Sequence, residues 1–170
     1  MSDSASTFVC SSCGKSHAGL PTDQSYELPD VVWAIPKDER PSRAKWTKDL
    51  CQLGERYFIR CLLRVPFTER EGYFGWGIWV EVEWSVFERY LQVYDEDATS
   101  EPEVWAAVAN DLPGYEPAVG ARVLVQFGTS TKRPTVRFPD VSTHTAALEQ
   151  RRGINEVRYH EILKSLAPAA

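Results

Sequence analysis

Two stretches of two-residue alternation constrain this chain more than any other feature. From Arg56 to Phe67, Tyr57, Ile59, Cys61, Leu63, Val65 and Phe67 fall on one face, and Phe58, Arg60, Leu62 and Arg64 fall on the other. Successive strand side chains point to opposite sides of a sheet, so this pattern predicts a strand with one apolar face. From Tyr73 to Glu83 the apolar face is Phe74, Trp76, Ile78, Val80 and Val82, set against Tyr73, Gly75, Gly77, Trp79, Glu81 and Glu83. Both faces of this second strand carry tryptophan, and strands apolar on both faces are covered twice. Ahead of the first strand, Leu50–Leu53 and then Gly54-Glu55 predict a tight hairpin that sets Cys51 opposite Phe58.

The other segments are shorter. Val31-Val32-Trp33 reads as a short strand interrupted by Pro29 and Pro36, and Lys37 to Lys48 as a charged loop. Trp84 to Val93 has helical spacing, with Trp84, Phe87 and Leu91 on one side. Asp95 to Glu103 reads as a solvated acidic linker, and Val104 to Asn110 as one or two helical turns. Ala121–Phe127 and Thr135–Phe138 read as strands. A helix from Thr143 ends at Gly153, and Asn155 caps a last helix over Glu156–Leu166. Central strands and late helices predict an α+β fold: an antiparallel sheet, C-terminal helices and an N-terminal Cys-x-x-Cys zinc-knuckle-like turn. A disordered tail is expected over 1–7 and one domain over 8–170.

Composition narrows the function. The net charge is −5, with no block of Lys and Arg. A nucleic-acid partner calls for a basic field that displaces counterions, so none is expected. No apolar run approaches the roughly 20 residues of a membrane span, and the polar start does not resemble a signal peptide. The expected compartment is the cytoplasm, where four cysteines serve as thiols or metal ligands rather than disulfides.

The most specific motif is Cys10-Ser11-Ser12-Cys13-Gly14. Two intervening residues let both thiolates face one metal ion from a tight turn. His17 lies four residues further on, and Cys51 is the candidate fourth ligand of a structural zinc. Cys61 is an odd number of residues from Phe58 and points to the other side of the sheet from Cys51. It reads as a small buried hydrophobe between Ile59 and Leu63. The competing readings are a metal-free turn and a redox dithiol.

The second candidate is a strip on one face of the second strand: Tyr73, Gly75, Gly77 and Trp79. Glycine inside a strand marks close approach of a ligand or of another backbone. The strip is either a shallow docking groove for a partner protein or the seat of a packed helix. Covering is expected near Gly75 and opening near Glu81, with Trp79 at the boundary. Arg60 and Arg64 either meet an anion or pair with Glu81 or Glu83 across the sheet. No catalytic residue is assigned, because no nucleophile, base and oxyanion loop come together in the sequence.

Phe8 through Gly14 with His17, Asp49-Leu50-Cys51 with Tyr57-Phe58-Ile59-Arg60, Phe74 through Val80, and His144 through Gly153-Ile154 together resemble a bacterial family, the domain of unknown function 2199. The resemblance spans nearly the whole chain. It departs at Cys61, where a small residue such as Gly is expected after the Ile-Arg pair. It implies a single bacterial domain and carries no activity. The function expected is therefore a small zinc-stabilised interaction module. The alternative is a thiol- or zinc-dependent enzyme of unknown substrate.

Overall fold

The computed structural model describes residues 7–9 and 16–18 by their backbone and residues 21–166 in full. Of the tail expected over 1–7, only Thr7 is described, as the first residue of β1. β1 (Thr7–Val9) and β2 (Ser16–Ala18) form an antiparallel pair that sets His17 opposite Phe8.

The two alternating stretches are the two long strands, β6 (Arg56–Pro66) and β7 (Tyr73–Val82). They pair antiparallel along their whole length, from Tyr57 opposite Val82 to Pro66 opposite Tyr73. The chain continues through α3 (Trp84–Val93), β8 (Val104–Val108), β9 (Arg122–Gln126) and β10 (Thr135–Arg137), and β10 returns to β6. The order β6-β7-β8-β9-β10-β6 closes a five-strand barrel. This corrects the expected antiparallel sheet. Each strand reverses its neighbour's direction, so an odd number of strands can close only through one parallel pair. That pair is β10 with β6, at Thr135 opposite Leu62 and Val136 opposite Leu63.

The predicted inward residues fill the barrel. Ile59, Cys61, Leu63 and Val65 of β6 meet Phe74, Trp76, Ile78 and Val80 of β7, with Val123, Val125 and Val136 from the short strands. Phe87 and Tyr90 of α3, Ala146 and Ala147 of α4 (Thr145–Arg152), and Tyr159 and Ile162 of α5 (Glu156–Leu166) complete this core. Full burial of each large aliphatic or aromatic side chain contributes about 1.5–3 kcal/mol. The helix boundaries follow the capping expected from sequence. The Asn155 side chain accepts from the Arg158 amide to start α5. Gly153 ends α4 at φ +82°, and a Cβ there would meet Thr68 Cγ2 at 2.7 Å.

Each long strand gives its outer edge to two partners in turn. On β6 the antiparallel β5 (Leu50–Leu53) covers Arg56–Ile59, and β10 covers Leu62-Leu63. On β7 the parallel β3 (Asp23–Ser25) covers Gly75–Gly77, and β8 covers Val80-Glu81. Cys51 stands opposite Phe58, as the hairpin predicts.

Three local expectations fail. Val31-Val32-Trp33 lies in a one-turn helix, α1 (Asp30–Trp33), not a strand. The expected loop over Lys37–Lys48 contains α2 (Arg40–Arg43) and β4 (Ala44–Trp46), which pairs with β5. Val104 to Asn110, expected to be helical, contains β8. Its residues join a ladder with β9, from Val104 opposite Val125 to Ala107 opposite Arg122, and tertiary pairing overrides the helix preference of its two alanines. Together α1, β4 and β5 lay a second, outer core over one end of the β6–β7 pair. It contains Leu28, Val32, Ala44, Cys51, Phe58, Trp79 and Ala109.

Candidate functional site

The outer face of β6 and β7 is divided. At one end Phe58 and Trp79 are fully buried beneath Leu28, Val32 and Ala44. At the other, Leu62, Gly75 and Gly77 border a cavity of about 860 Å³. The cavity lies where the edge of β6 passes from β5 to β10. Here the Arg60 amide donates to the Asp49 carbonyl, and the Leu62 amide donates to the Pro134 carbonyl. The segments just before β5 and β10 therefore flank the same stretch of β6. Lys48 and Asp49 come from one, and Thr129–Arg133 from the other. Thr22–Gln24 and the aromatic rings of Tyr73, Tyr90 and Tyr94 close the remaining walls.

Local hydrogen bonds fix the walls. Thr47 Oγ1 accepts from the amides of Asp49 and Leu50, which holds Asp49 at the start of β5. Asp49 is 8% exposed. One of its carboxylate oxygens accepts from the Tyr94 hydroxyl, and the other from Arg133 Nε at 3.1 Å. Burial pushes the Asp49 carboxyl up. The bonds from Tyr94 and Arg133, with the charges of Arg133 and Lys48, outweigh burial and hold it below its usual value. The same bond, with burial behind it, pushes the Tyr94 hydroxyl up to about 12. On the opposite wall Thr129 Oγ1 accepts from the Thr131 and Lys132 amides and shapes the loop that presents Arg133.

The two strand glycines have different reasons. A Cβ on Gly77 would come within 2.7 Å of Ser25 Cβ, so β3 can lie against β7 only because residue 77 has no side chain. A Cβ on Gly75 would reach Leu62 Cδ1 at 3.1 Å and stand on the cavity floor. Of the expected strip, Tyr73, Gly75 and Gly77 line the cavity, while Trp79 is in the outer core. Gly75 and Gly77 are buried beside the cavity, and the face reaches solvent at Glu81 and Glu83, so covering near Gly75 and opening near Glu81 follow the expectation, while Trp79 is fully covered rather than at the boundary. Tyr73 is 40% exposed at the rim, with the Arg64 guanidinium over its ring at 5.0 Å.

Asn110 is the residue that sequence reasoning missed most completely. It is fully buried. Its Oδ1 accepts from the Trp79 amide at 2.8 Å, and its Nδ2 donates to the Leu28 carbonyl and to Asp30. It bridges β7 where the strand's edge passes from β3 to β8, and ties α1 over Trp79. In the sequence it reads only as the last residue of the helical turns expected over Val104 to Asn110.

Of the metal candidates, only Cys51 is described in full. Cys10 and Cys13 lie outside the described residues, and His17 is placed only by its backbone register. Cys51 is buried in the apolar outer core, where burial pushes its thiol up to about 11. Cys61 is in the barrel interior, and burial pushes its thiol up as well. Among the described residues, no three His, Cys, Asp or Glu side chains converge on a metal-sized point. His144 caps α4, its Nδ1 accepting from the Ala146 amide, and its ring stacks on Phe138. The expected pairing of Arg60 and Arg64 with Glu81 or Glu83 is not what forms. Arg56 holds Glu81 at 2.8 Å, and Arg60 lies beside the Trp79 ring.

Among the described residues, no helix is long and apolar enough to cross a membrane. No curated protein and no solved structure gives a significant match to the chain. A family model described as an uncharacterized protein conserved in bacteria matches residues 9–154. That stretch takes in both long strands, the whole barrel, the outer core and the cavity. The chain belongs to this family, DUF2199.

Proposed function

We propose that the protein is a binding module whose ligand is a small molecule held in the cavity beside Gly75. The observation that carries this reading is the cavity itself. Its volume of about 860 Å³ falls in the range of small-molecule sites, and the missing side chain of Gly75 clears its floor. Aromatic walls from Tyr73, Tyr90 and Tyr94 stand beside a fixed polar cluster of Asp49, Tyr94 and Arg133. Most of the lining residues are polar, which suits a polar ligand held by placed hydrogen-bonding groups. The compartment proposed for this module is the cytoplasm.

The described thiols support binding over thiol chemistry. Burial raises both Cys51 and Cys61, and a thiolate is the form that attacks. The enzyme alternative would therefore run on Cys10 or Cys13. We retain a structural zinc on those two residues and His17, with Cys51 as the fourth candidate. The support is the Cys-x-x-Cys spacing and the antiparallel register that returns His17 opposite Phe8. Protein expressed with zinc and purified should carry about one equivalent per chain, since structural sites bind tightly. A load near zero would end the zinc reading. A partner protein remains the second reading, favoured only by the exposed Tyr73 at the rim.

The cavity is tested by thermal shift against anionic, neutral and cationic metabolites. The panel is repeated on Thr131→Trp, which places bulk on an exposed lining residue. The expected result is a melting shift with one class that disappears in the variant. A panel without any shift at about 1 mM ligand, or a shift that Thr131→Trp leaves intact, would remove the cavity as the site.

A further inference from the structure

We infer, resting on the cavity as the binding site, that its ligand is a phosphorylated small molecule whose phosphate sits between Lys48, Lys132 and Arg133. The chain as a whole is acidic, at −5. Away from the cavity, five of its thirteen arginines are held by carboxylates: Arg56 by Glu81, Arg70 by Glu156, Arg89 by Glu101, Arg137 by Glu103 and Arg158 by Glu149. The cavity gathers cations outside such pairs. Lys48 and Lys132 line it, and neither makes an ion pair among the described residues. Arg133 uses Nε on Asp49, and its two terminal nitrogens have no acceptor there.

Two more cations flank Leu62 on β6. Arg60 Nη1 donates to the Lys48 carbonyl, while its Nε is buried with no acceptor. Arg64 covers Tyr73 at the rim. Asp49 and Asp23 are the lining carboxylates, and Asp49 is already held by Tyr94 and Arg133. Three cations and two carboxylates therefore line the cavity. An arginine with a free fork and two lysines suit a compact dianion, because guanidinium offers paired donors and ammonium a point charge. Thr22 and Ser130 line the same space, their hydroxyls have no hydrogen-bond partner among the described residues, and they suit the hydroxyls of a sugar. A cavity of this size holds a sugar phosphate whole.

The test is calorimetric titration of the full chain with ribose 5-phosphate, inorganic phosphate and ribose. The inference expects ribose 5-phosphate to bind saturably, phosphate to bind more weakly, and ribose not to bind. Lys48→Gln with Lys132→Gln should weaken ribose 5-phosphate by about tenfold or more. Both side chains are exposed and outside any ion pair, so the variant should keep the parent melting temperature. Arg133→Lys, which keeps the charge and loses the fork, should also weaken binding. Absence of ribose 5-phosphate binding, or binding that the double variant leaves unchanged, would overturn the inference. A neutral metabolite that binds the parent and is lost in Thr131→Trp would overturn the phosphate and leave the cavity reading standing. Binding only of a phosphopeptide would overturn the small-molecule ligand.

Discussion

The two ends of the outer face of β6 and β7 began with the same architecture and finished differently. At the Phe58–Trp79 end, large side chains rise from the sheet and the segment from Leu28 to Ala44 folds over them. At the Leu62–Gly75 end, β7 has glycines that border the cavity. Both ends are on one continuous antiparallel ladder. Side-chain volume on β7 therefore decides where the chain packs on itself and where it leaves room. A tryptophan supplies the apolar area that holds a covering segment, and glycine supplies none.

The contrast is broken most directly by shaving its two aromatic ends. Trp79→Ala should cost about 3–5 kcal/mol, since it removes the centre of a closed core. Tyr73→Ala, at the exposed rim, should change stability by less than about 0.5 kcal/mol. Denaturant unfolding of the two variants decides it, and similar losses would erase the distinction between a closed and an open end.

Asn110→Ala probes what holds the closed end down. It leaves the Trp79 amide and the Leu28 carbonyl without their partner in a buried setting, at about 1–3 kcal/mol. Amide exchange should quicken at Trp79 more than at Leu63, deep in the barrel. Equal acceleration at both would show that Asn110 stabilises the whole barrel rather than the cover.

A further substitution sharpens the end beside the cavity. Asp49→Asn should cost about 1–2 kcal/mol at neutral pH, by weakening the bonds from Tyr94 and Arg133. The folded Asp49 pKa lies below its unfolded value, so its contribution is present above roughly pH 4 and fades as pH falls through the folded value. Parent and variant should therefore converge in urea titrations at low pH. A gap that persists or widens on acidification would show that the carboxylate charge is not what matters.

What the sequence disclosed follows the range of the interactions. The hairpin from Leu50 to Ile59, the two long strands, α3 and the caps of α4 and α5 were legible, because alternation, turn residues and capping side chains are local signals. Closure into a barrel was not, because β10 meets β6 across more than seventy residues and Thr135-Val136 says nothing of its partner. α1 is one turn long, too short to show a helical period. The cavity was half legible. Gly75 and Gly77 marked its floor, and Asp49 lay inside a stretch that carries the family resemblance. Lys132 and Arg133 gave no sign, since a polar turn of Thr, Ser and Lys reads as an ordinary loop.

The parallel strand β3 has a consequence for the N-terminus. Asp23 is on the cavity wall, and His17 is six residues upstream. Even a fully extended chain of that length spans only about 20 Å. A metal ion held by His17 is thus leashed near the cavity wall whatever path the leash takes. Cobalt put in place of zinc would act as a magnetic ruler, broadening the resonances of Thr22–Gln24 before those of α3.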